Sequence, residues 1–154
     1  MVFKRIALLV TVLPCLLVAQ QSGANRVEVF LSHLLESYKR DMVPVADPKF
    51  VNFSTYVERW AKEAGLTRTQ AETEIKQWVN AQGNQSNFRR KGLASFYKKD
   101  FRNAAENFNQ SVIKKSQDSK NYLDAEGKFN AKGKELVKSG VQDLLLLGHV
   151  LHVN

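Results

Sequence analysis

Apolar residues in this chain recur at three- and four-residue intervals from Val27 almost to the last position, and glycine, proline or polar clusters interrupt the pattern. That period belongs to amphipathic helices. No segment reads convincingly as a strand, so the expected fold class is all-α, built of antiparallel helical hairpins with six to seven helices. The first stripe holds Val27, Phe30, Leu31, Leu34, Leu35, Tyr38 and Met42, and ends in a turn over 43–49 at Pro44 and Pro48. Phe53, Tyr56, Val57, Trp60, Ala61 and Ala64 form the second, with Gly65 as its C-terminal stop. Thr67 and Gln70 have the spacing of a capping box, opening a third helix through Ala71, Ile75, Trp78 and Val79 that stops near Gly83. Both tryptophans lie on inward stripes, where core anchors are expected and a ligand box is not.

A fourth helix over 86–98 and a fifth over 100–115 are joined by a very short link at Lys99–Asp100, with Asp100 placed as N-cap. The sixth is expected over about 120–139, with Tyr122, Ala125, Phe129, Leu136 and Val137 inward. Gly140 then punctuates, and a seventh over 141–153 carries Leu144 to Leu147, Val150 and Leu151.

The N-terminus has a different character. Lys4 and Arg5 precede a thirteen-residue apolar run, Ile6 to Val18, which contains Pro14. A bilayer span takes about twenty apolar residues, so this is a secretory signal peptide over 1–19, with 24 as the alternative end. The protein is then secreted or periplasmic, and anchoring by an uncleaved signal is the alternative. Cys15, the only cysteine, leaves with the peptide, which removes disulfides, thiol catalysis and cysteine-based metal sites together. The mature domain must therefore be held by its core. Sequons at Asn52, Asn84 and Asn109 matter only in a eukaryotic secretory pathway and carry little weight.

The whole chain of 154 residues is 44% hydrophobic and 25% charged, which suits one domain with a real core. Its net charge of +8 falls by two on signal removal, and no run reaches five like charges. A thinly spread surplus reads as a solvated surface, and without a basic stripe interleaved with aromatics no nucleic-acid partner is expected.

One motif stands out. From Phe88 the chain places Gly92, Phe96, Phe101, Ala104 and Phe108 at spacings that resemble a tetratricopeptide repeat, whose first helix has an aromatic followed by glycine and whose second has A-x3-F. Lys91 stands where that family has leucine, Ser95 where it has an aromatic and Ser111 where a small alanine is usual. The closing proline is absent, and Ser116 lies near its place. Small Gly92 and Ala104 are expected to let two helices cross closely, with Phe101 and Phe108 filling the sides. A partial match recurs at 144–151, where Leu147–Gly148 is followed by Leu151. The chain thus divides into a three-helix region, 26–83, and a repeat-like region, 84–154. That second region reads as the start of a longer solenoid or as pairing with another chain; the alternative is that the last helix folds back on the first three.

The resemblance implies a non-enzymatic protein-interaction module with Arg89, Arg90, Leu93, Phe96 and Tyr97 lining a groove for a protein or an acidic peptide. Packing against the sixth helix is the competing role for Leu93 and Phe96. A basic bundle binding an anionic surface, and the regulatory front of a larger enzyme, are the alternative functions. No nucleophile elbow, phosphate loop or dinucleotide fingerprint occurs, and no cofactor is expected. His149 and His152 are three apart, but His33 is the only other histidine; they read as polar residues near a helix C-terminus and not as metal ligands.

Overall fold

A computed structural model of the protein describes residues 23–41, 52–83 and 86–153. It is all-α, with six helices among the described residues: α1 (Gly23–Asp41), α2 (Ser54–Glu63), α3 (Arg68–Ala81), α4 (Phe88–Tyr97), α5 (Phe101–Lys120) and α6 (Ala131–Val153). The expected signal peptide, Cys15, Met42 and the turn at Pro44 and Pro48 lie outside the described residues, as do Asn84 and Gln85.

Local chemistry explains the early boundaries. α2 ends in a Schellman motif: Gly65 is left-handed at φ +66°, its N–H donates to Lys62 O, and Leu66 N–H donates to Ala61 O at 2.8 Å. Thr67 caps α3 reciprocally, accepting from Gln70 N–H while its own N–H donates to Gln70 Oε1 at 2.8 Å. Asp100 accepts from Asn103 N–H and opens α5. The two-residue link before it repeats the Schellman pattern, with Lys99 N–H on Phe96 O and Asp100 N–H on Ser95 O. Here the left-handed residue is Lys99, at φ +64°.

The C-terminal third departs from expectation. α5 continues to Lys120, past the anticipated end at 115, because no proline stops it. Residues 121–130 then form a compact turn instead of helix. A single antiparallel bridge joins Leu123 to Phe129. Asp124 accepts from Glu126 N–H and Lys128 N–H, and Gly127 is left-handed at φ +76°. Tyr122 and Phe129 are half-buried and Ala125 is exposed. Asn130 accepts from Gly133 N–H at 3.0 Å at the start of α6. The two helices expected over 120–139 and 141–153 are therefore replaced by a turn and one helix. Gly140 does not break α6; a Cβ there would meet Lys115 Cβ at an ordinary 3.7 Å, so its small cost in a helix interior is met by packing on α5.

The core runs from α1 through α5 and takes Leu146 and Val150 from α6. Phe30 stacks on Trp60 with centroids 4.6 Å apart. Phe53 sits among Tyr38, Phe96 and Tyr97, at 5.4, 5.2 and 5.7 Å. At the α4–α5 crossing the approach is tight: a Cβ on Gly92 would lie 2.7 Å from the Phe108 ring, and Ala104 is fully buried. α6 packs along α5 and returns to touch α1, so the last described helix folds back on the first.

Candidate functional site

The residues expected to line a groove do not form one. Leu93 and Phe96 are fully buried; Phe96 packs among Tyr38, Phe53 and Phe101, and neither offers a surface to a partner. Tyr97 is half-buried against Phe53, and burial together with the Glu72 charge pushes its phenol pKa upward. Arg89 and Arg90 are drawn into ion pairs within the fold. Of the residues expected to pack the repeat, Gly92, Phe101, Ala104 and Phe108 are buried, and Phe88 is half-buried.

What holds Arg89 is a carboxylate that the sequence does not single out. Asp143, on α6, has no exposed surface. Its Oδ1 accepts from Arg89 Nη1 at 2.9 Å, and its Oδ2 accepts from Ser111 Oγ and Lys115 Nζ, each at 2.5 Å. Lys115 also donates to Ser139 Oγ at 2.7 Å. Glu28 on α1 accepts from Arg90 Nε at 2.8 Å and lies 3.7 Å from Arg89 Nε. Ser32 accepts weakly from Arg89 Nη2. One connected cluster thus joins α1, α4, α5 and α6. A buried charge of this kind is tolerable only when paired and hydrogen-bonded, and Asp143 meets both conditions.

Beside the cluster, α1 and α6 leave a half-open cavity of about 270 Å³, walled by Glu28, Ser32, His33, Glu36, Arg89 and Gln142 among others. A smaller cleft of about 170 Å³ lies between the end of α3 and the α4–α5 hairpin, lined by Gln82, Lys91, Lys98 and Asn107 among others. Among the described residues no three His, Cys, Asp or Glu side chains converge as a metal site. His149 is half-buried and His152 exposed.

The largest departure from an ordinary surface is on α6. Opposite Asp143, Leu146 and Val150, the helix exposes Val137, Val141, Leu144 and Leu151, with Leu145 on the edge that also lines the α1–α6 cavity, each between 39% and 58% accessible. Gly148 lies in the same stripe, with nothing within 4 Å of where its Cβ would be. Single exposed apolar residues are normal; a contiguous stripe of them is not. Val137, expected inward, is exposed, and of the apolar run after it Leu146 and Val150 are buried while Leu144, Leu145 and Leu151 are not; the buried cluster fixes which side of α6 faces the bundle.

Fold and surface together define a class: an all-helical domain with an aromatic-rich core, a buried ionic cluster and, among the described residues, an apolar face of α6 left exposed. No protein-family model, curated protein or solved structure matches the chain. No helix among the described residues is long and apolar enough to cross a membrane.

Proposed function

We propose that this chain is a non-enzymatic protein-interaction domain, exported by its N-terminal signal, that presents the outer face of α6 to a protein partner. The observation that carries the reading is the stripe from Val137 to Leu151, five large apolar side chains left exposed on a helix that packs on the bundle through Asp143, Leu146 and Val150. Exposing them to water is unfavourable by about 25 cal/mol for each Å², a loss that covering by a partner would reverse. A tetratricopeptide-like origin for the α4–α5 hairpin is supported by the close approach of Gly92 to Phe108 and by the buried Ala104. The partner-facing residues of this reading are on α6 and not on α4.

The test is cross-linking in the compartment where the protein resides, comparing the native chain with a Leu144→Asp/Leu151→Asp variant. Both residues are more than half exposed, so the variant keeps its helical circular dichroism and melting temperature. The expected result is loss of the cross-linked complexes. A variant that keeps every complex of the native chain overturns the reading.

A further inference from the structure

We infer that the occupant of the α6 stripe is a second copy of this chain, paired antiparallel about a two-fold axis passing between Leu144 and Gly148. The inference rests on the interaction-domain reading above and names its partner. Three observations carry it: the spacing, the area and the charge.

Val137, Val141, Leu144, Gly148 and Leu151 are separated by four, three, four and three residues, the spacing of a coiled-coil seam. In an antiparallel pair, one register sets Leu144 of each copy over Gly148 of the other and Val141 over Leu151. Each leucine then enters a hole left by an absent side chain, with open space around Gly148 to receive it. The match is self-complementary, as an isologous interface must be.

In this register the two α6 helices overlap over about 139–153, so Val141, Leu144, Gly148, Leu151 and His152 face the partner while Val137 and Lys138 lie at the edge, and the pair buries somewhat under the roughly 1,000 Å² that marks the lower bound for a specific interface. That size predicts a weak dimer. It does not predict none, because α6 is already ordered by the bundle and little conformational entropy remains to be lost on association. Charge selects the direction. Lys134 and Lys138 lie at one end of the stripe and the carbonyl end of α6 at the other. Antiparallel pairing brings each lysine pair toward the negative pole of the facing helix; parallel pairing would set four lysines together.

The experiment is sedimentation equilibrium on the exported chain from about 1 to 300 µM, at low and high salt, since mass action reveals a weak dimer only across such a range. The net repulsion of two positively charged copies outweighs the short-range pull of each lysine toward a helix pole, so the dimer should tighten as salt rises; an acidic partner or an anionic surface would show the opposite sign. Gly148→Leu fills the hole and should weaken the dimer at least about tenfold without lowering the melting temperature. In a Cys15→Ser background, Val141→Cys combined with Leu151→Cys should oxidise to covalent dimers, and Val141→Cys alone should not. A monomer at every concentration, or efficient cross-linking through Val141→Cys alone, overturns the inference. If the chain is monomeric yet Leu144→Asp/Leu151→Asp still abolishes its complexes, self-pairing fails and the interaction-domain reading stands. If neither behaviour is seen, both fail.

Discussion

The packing of α4 on α5 and the seating of α6 use opposite chemistry. At the α4–α5 crossing the contact is dry: Gly92 against Phe108, with Ala104 and Phe101 beside them, all buried. On α6 the contact centres on Asp143, held by Arg89, Lys115 and Ser111. Apolar packing rewards any arrangement of about the right volume, whereas a buried carboxylate admits only the arrangement that satisfies it. Four consecutive leucines, Leu144 to Leu147, surround most of the helix circumference and could seat α6 in several rotations. Asp143 chooses one of them. The difference teaches that the polar cluster sets orientation, and that the outward stripe is its consequence.

The sharpest way to break this comparison is Asp143→Ala, which leaves Arg89 and Lys115 facing each other without their carboxylate. A loss of about 3 kcal/mol is expected in urea unfolding; a loss below about 1 kcal/mol, as for a surface pair, would mean that the cations simply turn to solvent. A triple variant, Asp143→Leu with Arg89→Leu and Lys115→Met, sharpens the point. Stability should largely return, while the amide spectrum of α6 broadens as alternative rotations become populated. Next in size is Gly92→Ala, whose added methyl meets a ring that cannot retreat, at a cost of about 2 kcal/mol in the same assay. Ala104→Leu overpacks the same crossing by about 1–3 kcal/mol, and an unchanged melting temperature would show that the crossing is loose. The smallest effects have the opposite sign. Lys99→Gly relieves the left-handed backbone at the α4–α5 link and should gain about 1 kcal/mol. Gly148→Ala, in open space on a helix, should gain about 0.5 kcal/mol. Two glycine-to-alanine changes of opposite sign in one chain would measure directly which helix face is filled and which is bare.

Much of α1 to α5 is legible in the sequence because each helix there is amphipathic, and a stripe of one width has one way to face inward. Gly65, the Thr67–Gln70 pair and Asp100 are legible too, since their bonds are made within a few residues. The α6 region is not. Its apolar run encircles the helix, so periodicity cannot tell buried Leu146 and Val150 from exposed Leu144 and Leu145. Asp143 reads as one more solvated charge until the fold brings Arg89, 54 positions away, and Lys115, 28 away, to it. Arginines that lie on an expected groove look the same in sequence whether they await an acidic ligand or are already paired with Glu28 and Asp143. The turn over 121–130 reads as helix because Tyr122, Ala125 and Phe129 happen to fall at helical spacing, while Asp124 and Gly127 supply the turn chemistry.

The return of α6 onto α1 has a consequence for how the domain comes apart. In an open solenoid each unit touches only its neighbours, so units at the ends can melt while the middle stays folded. Here the first described helix and the last share Glu28, Arg89 and Asp143 in one ionic cluster. Neither helix can leave the bundle without loosening Arg89, which the other also holds. Unfolding should therefore be a single event, with the tryptophan signal of α2 and α3 and the helical signal of the whole chain lost at the same denaturant concentration.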